Sequence, residues 1–244
     1  MNEAYHIYGV PKAGGLLVAA DHASNIVPDN LNLGLDPYLL DDHIAYDIGT
    51  EPIAKMIAET GSGLAITGGQ SRLVVDLNRY PDEAAVIPLI SDGIKITSNE
   101  LKASERAERV ERYYHPYHER LSALIADINP FLVISLHSFT PTLRTAPELK
   151  RPWEIGVLYN DYAEAARLAL PFLEGEGLIV GDQKPYSGKD LNATMNRQAE
   201  AVGQAYIGIE IRQDLISHET GQRRFTDILI RMSAVLESGL ARGV

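Results

Sequence analysis

The stretch Phe131-Leu132-Val133-Ile134-Ser135-Leu136 decides the fold. Its nearly unbroken apolar run is too short for a globular helix and stops at the polar pair His137-Ser138, as a strand buried on both faces does. Downstream the pattern alternates. Strands are predicted at Glu154 to Tyr159, Leu178 to Val180 and Ala205 to Ile211, with helices at Tyr162 to Phe172, Leu191 to Ala201 and Glu219 to Leu236. That alternation is the signature of an α/β architecture, three αβα layers around a mixed, largely parallel central sheet.

The first half extends the same reading. Gly14 to Ala20 is a short apolar run that ends in Asp21-His22-Ala23-Ser24-Asn25, and reads as a buried strand leading into a polar loop. Ile53, Met56 and Ile57 recur at helical spacing over Thr50 to Thr60, with Gly61 as the stop. Leu64 to Thr67 and Arg72 to Leu77 read as two further strands, and Asn99 to Asp127 as a long helix that Pro116 kinks or divides. No linker, repeat or low-complexity tract interrupts residues 1–244, so one domain is expected.

Composition narrows the chemistry. The 22 basic and 33 acidic residues give a net charge of −11, which argues against nucleic-acid binding, since a phosphate-tracking surface is basic. Cysteine is absent, so thiol nucleophiles, disulfides and cysteine-bearing metal sites are excluded. No apolar run approaches the ~18 residues of a membrane span. The N-terminus has neither a basic region nor an apolar one that would direct export, so a cytoplasmic protein is expected.

In α/β sheets ligands gather at the carboxyl ends of the strands. Four polar clusters fall there: Asp21-His22, Asp76-Leu77-Asn78-Arg79, Leu136-His137-Ser138 and Glu210-Ile211-Arg212. His22 and His137 are each expected just beyond a strand and supply two ligands for a hydrolytic metal site, which needs about three His or carboxylate donors and an open position. Asp47, ahead of the first helix, is the preferred third ligand; its competing role is a helix N-terminal acid, and Asn25 is the other candidate. A lone histidine in such a place is more often a hydrogen-bonded loop or core residue, but two of them at strand ends weigh toward a site.

Asn78 and Arg79 together can grip a carboxylate, with Asp76 orienting Arg79 or Arg72. Glu210 lies in the apolar run Ile207-Gly208-Ile209-Glu210-Ile211, where a carboxylate must be paired, metal-bound or shifted in pKa, and it is the candidate base. An ion pair with Arg212 on the same strand face is the competing explanation. His115 and His118 are three apart on a predicted helix, a spacing that could hold a metal, but Pro116 and the flanking Tyr113, Tyr114 and Tyr117 favour a packed aromatic segment. No dinucleotide fingerprint, phosphate loop or serine-hydrolase elbow is present, and Ser138 would need a separate base to act as a nucleophile.

The set Asp21-His22-Ala23-Ser24-Asn25, Ser71 to Arg79, Tyr117-His118 and Leu136-His137-Ser138 resembles the N-formylglutamate amidohydrolase family from about Leu16 to the strand of Glu210 and the helix after it. More distantly it is similar to zinc carboxypeptidase-like deacylases such as aspartoacylase and succinylglutamate desuccinylase. The resemblance implies a phosphorylase/hydrolase-like, zinc-exopeptidase-like fold. It also implies a divalent metal, Zn2+, on His22 and His137, the substrate carboxylate on Asn78 and Arg79, and Glu210 as general base; beyond the resemblance, Arg212 is expected to help hold the substrate's carboxylates. Arg72 would polarise the carbonyl. The implied reaction is hydrolysis of a linear amide in a small anionic N-acyl amino acid, N-formyl-L-glutamate above all. The motifs Asp-His-Ala-Ser and Ser-Leu-His-Ser differ from the Pro-His-Ser-Gly and Asp-Leu-His-Ser of the family, so deacylation of another acyl amino acid stays open. A protein that binds a small dicarboxylate without catalysis is the rival class.

Overall fold

The computed structural model of the chain describes residues 3–242. The strands are β1 (Tyr5–Tyr8), β2 (Leu16–Ala20), β3 (Gly63–Gly68), β4 (Ile90–Ser91), β5 (Ile94–Lys95), β6 (Leu132–Phe139), β7 (Ile155–Leu158), β8 (Val180–Asp182) and β9 (Tyr206–Arg212). The helices are α1 (Thr50–Glu59), α2 (Ala103–Arg109), α3 (His115–Ile128), α4 (Glu164–Gly175), α5 (Ala193–Gln198) and α6 (Glu219–Leu240). Seven strands form one sheet in the order β1-β3-β2-β6-β9-β7-β8, and β4 and β5 form a separate hairpin. β3, β2, β6 and β9 run parallel, while β1 on β3 and β7 on β9 are antiparallel, so the sheet is mixed and largely parallel as expected.

Both sheet faces are covered, which is why the central strands read as continuous apolar runs. Leu16, Val18 and Ala20 of β2 face α1, α4 and α6, whereas Leu17 and Ala19 face α3, α5 and the segment around Leu73 to Val86. The three layers follow from that alternation. No helix among the described residues is long and apolar enough to cross a membrane.

Several local expectations differ from the structure. Arg72 to Leu77 is not a strand. Its apolar residues are buried in the second core, but its backbone bonds to loops: Arg72 N–H to Ala45 O at 3.1 Å, Val74 N–H to Ser71 O at 2.8 Å and Asp76 N–H to Val86 O at 2.7 Å. Burial without a ladder partner gives the same apolar pattern as a strand. The predicted long helix is two helices joined by a π turn at Val110–Tyr114, with Pro116, which has no N–H to donate, in the first turn of α3. α5 is shorter than Leu191 to Ala201, and β8 lies two residues beyond the expected start. The half-buried edge strand β1 and the β4–β5 hairpin carry too little alternation to be read from sequence.

Candidate active site

The carboxyl ends of β2, β6 and β9 open into one cleft. His137 lies inside β6, not beyond it, and is directly opposite Glu210 of β9 in the parallel register, so the two side chains leave the same sheet face side by side. His22 sits on the loop after β2. Asp47 precedes α1 and is locked through its backbone, its N–H donating to His22 O at 2.7 Å while its own carbonyl accepts from the Thr50 hydroxyl at 2.8 Å. Gly49 makes this turn possible: its φ is +87°, and a Cβ there would stand 2.3 Å from the Ile216 carbonyl oxygen.

His22, Asp47 and His137 therefore converge, all buried, with one donor atom of each within 4.8 Å of the others. The His137 Nδ1 is 2.9 Å from Asp47 Oδ2, and His22 Nδ1 is 3.6 Å from the same oxygen. Each ring is fixed by its second nitrogen. His22 Nε2 is 2.7 Å from Asp76 Oδ1, and His137 Nε2 is 3.1 Å from the Ser135 hydroxyl. An imidazole held by a carboxylate on one nitrogen and facing another donor with the second is how metal-binding histidines are oriented. Two imidazoles and a carboxylate are a donor set suited to a divalent cation, and the three residues fit one. Asn25 does not take part, because its amide bonds Asp41 at 3.0 Å.

The electrostatics favour positive charge at this point. Burial alone would lower the His137 pKa, but the hydrogen bond and charge of Asp47, with Glu210 beyond, push it up to about 9. Burial works to raise Asp47, yet Arg72 and the two histidines hold it well below the usual carboxylate range. Arg72 Nη2 donates to both Asp47 Oδ1 and His22 Nδ1. Since a guanidinium only donates, His22 Nδ1 accepts, and the ring proton is on Nε2 toward Asp76. Asp76 therefore orients His22; its contact with Arg79 is looser, at 3.9 Å.

Glu210 is buried and its Oε2 has no hydrogen-bond partner. Desolvation, reinforced by Asp47, raises its pKa against the opposing pull of His137 and Arg72. The competing ion pair with Arg212 is absent. The Arg212 guanidinium bonds Asp214 at 2.8 and 3.2 Å and the Pro152 carbonyl at 3.1 Å, which takes it out of the cleft, so its expected grip on substrate is not built. Asn78 and Arg79 do border the cleft, with Asn78 Oδ1 accepting from the Thr194 N–H at 3.0 Å. The Ser138 hydroxyl donates to Ile48 O, and no base activates it.

At the rim, charges tie three loops together. His43 Nδ1 is 2.6 Å from Asp42 Oδ1 and its Nε2 is 3.0 Å from Asp92 Oδ2. Asp92 accepts from the N–H groups of Arg144 and Thr145 at 2.8 and 3.0 Å, and the Arg144 guanidinium bonds Asp42 at 2.6 and 3.1 Å. His118 lies elsewhere, its ring centroid 4.2 Å from that of Tyr114 with the two planes tilted by 38°, and donates through Nε2 to Leu77 O at 2.9 Å, as its aromatic surroundings suggest.

A profile of the N-formylglutamate amidohydrolase family matches residues 14–217. The chain belongs to this family. It is an amidohydrolase, and its family relations support a hydrolase of N-acyl amino acids. Gene product Atu2144 from Agrobacterium tumefaciens is 31% identical, with 97% of this chain and 96% of that one covered and a TM-score of 0.90. The N-formylglutamate amidohydrolase from Ralstonia eutropha JMP134 is 18% identical over the full length of both chains, with a TM-score of 0.75, and shares the fold. No curated protein sequence matches.

Sequence reading of this amidohydrolase missed three residues at the cleft. Asp76, expected to orient an arginine, instead holds His22; a carboxylate just beyond a buried run suits a histidine equally well. His43 follows Asp41 and Asp42 with no pattern that marks it, and Tyr186 lies in a polar loop with no periodic signal.

Proposed function

We propose that this amidohydrolase is metal-dependent and cleaves the linear amide of an N-acyl amino acid, with N-formyl-L-glutamate the leading substrate, giving formate and L-glutamate. The observation that carries the reading is the buried His22, Asp47 and His137 cluster beside a carboxylate with an unpartnered oxygen. The donor chemistry points to Zn2+, for which imidazole nitrogen and carboxylate oxygen are ordinary ligands. A metal there supplies Lewis acidity and lowers the pKa of water toward ~7.

The protein groups divide the remaining work. Glu210, raised in pKa by burial, takes a proton from the attacking water and passes it to the leaving nitrogen. His22, Asp47 and His137 would hold the cation, and Arg72, whose Nη2 donates to His22 Nδ1 and Asp47 Oδ1, would supply a positive donor to the oxygen that gains charge. Asn78 and Arg79 hold the substrate carboxylate.

Metal analysis combined with a formate-release assay tests the proposal. The expected result is stoichiometric metal that is lost on changing both His22 and His137 to alanine, with formate released from N-formyl-L-glutamate. Retained zinc in that double variant rejects the metal site. A folded, metal-replete protein that leaves N-formyl-L-glutamate intact but cleaves another acyl amino acid rejects the substrate.

A further inference from the structure

One wall of the cleft is built around a buried arginine with no acidic partner. Arg151 is only 6% exposed, and among the described residues no carboxylate lies within 4.0 Å of it. Burying a guanidinium unpaired is expensive. Here it lies against two aromatic rings, 5.6 Å from Phe139 and 4.9 Å from Tyr186, and donates through Nη1 to Thr140 O at 2.8 Å, while its Nε has no partner. Arg151 thus joins the end of β6 to the loop that carries Tyr186.

That loop is braced from the other side as well. Gln183 donates from Nε2 to Tyr159 O at 2.7 Å and accepts from Gly188 N–H at 2.9 Å. Gly156 has no Cβ, which lets the Lys184 carbonyl approach to where a Cβ would be only 2.0 Å away. The tyrosine held by these contacts borders the cleft together with His137 and Glu210, and Glu210, Arg151 and Arg72 are its charged neighbours. Burial and the charge of Glu210 raise the phenol's pKa, so it stays protonated, able to donate.

We propose that Tyr186 is a catalytic residue whose hydroxyl donates a hydrogen bond to the substrate's acyl oxygen as that oxygen gains charge, and that Arg151 is its positioning residue. The inference rests on the amide-hydrolase reading above. No proton is transferred from the phenol; it stabilises charge as a neutral donor in addition to the charged Arg72. A preorganised donor of this kind acts on the transition state more than on the bound substrate.

The test is Tyr186→Phe in the metal-loaded full chain, with thermal melting as a check on folding. The expected result is a fall in kcat of ~10²-fold with KM within about threefold. Arg151→Lys should lower kcat in the wild-type background and add little in the Tyr186→Phe background, a coupling that a merely structural arginine would lack. Unchanged kcat, or a rise in KM alone, overturns the proposal. A second arm does not need turnover: calorimetric binding of a phosphonamidate whose tetrahedral P–O group replaces the acyl carbonyl should weaken about tenfold or more in Tyr186→Phe, while amino acid product binds as before. If wild type cleaves no acyl amino acid, the hydrolase reading fails, and equal analogue affinity in wild type and variant then overturns this inference too.

Discussion

Glu210 has an unpartnered Oε2 in a buried site, and its amide analogue has the same shape. Glu210→Gln is therefore expected to fold normally and bind substrate, yet to lose ~10²–10⁴-fold in kcat, the range for removing a general base. The carboxylate is the active form and its pKa is raised, so kcat/KM in wild type should fall as pH is lowered through a midpoint above the ~4.3 of an ordinary glutamate. A midpoint at or below that value argues against Glu210 as the base. His118 makes an independent prediction for stability. Burial lowers its pKa to about 4 from an unfolded value of 6.5. Between those values the unfolded chain binds a proton that the native state excludes, so stability present above pH 6.5 is lost as pH falls toward 4, by up to ~3 kcal/mol. Urea midpoints at pH 7 and 4.5 should differ more in wild type than in His118→Gln. The histidines at the site could be read from sequence because each follows an apolar run, whereas Arg212 could not be excluded, since nothing in the sequence says that Asp214 two residues on would take its guanidinium.

Among the elements, the parallel strands and their helices were legible because a strand covered on both faces gives an unmistakable apolar run. The segment Arg72 to Leu77 gave the same signal without a ladder, since burial of Leu73, Val74 and Leu77 in the second core leaves the same trace whether the backbone pairs with a strand or with loops. The π turn at Val110–Tyr114 has no sequence mark either, as one extra residue does not disturb the apolar spacing enough to read. The turn into α1 has a sharper requirement. Gly49→Ala should cost more than ~1 kcal/mol, because the backbone is left-handed there and the new methyl meets the Ile216 carbonyl. Asp47 precedes that turn by two residues, so the same variant should reduce bound metal when measured by elemental analysis on folded protein. Destabilisation with full metal content would mean that Asp47 is positioned independently of the turn.

For the whole molecule, the net charge of −11 says nothing about where individual basic groups are placed. The structure places Arg72 and Arg79 at the cleft, where they stand among the carboxylates Asp47, Asp76 and Glu210. Convergence of clusters more than a hundred residues apart is a property of strand order, and the place of β6 between β2 and β9 is what brings His22, His137 and Glu210 together. The loops around that convergence are held differently from the layers beneath. Asp92→Asn should speed amide hydrogen exchange at Arg144 and Thr145 while leaving β6 amides unchanged, because those two N–H groups bond Asp92 and the core does not. The sheet is closed by oil and the cleft's rim by charge. Substrate entry should therefore answer to ionic strength at temperatures where the core is indifferent to it, making the doorway of this enzyme separately adjustable from the building.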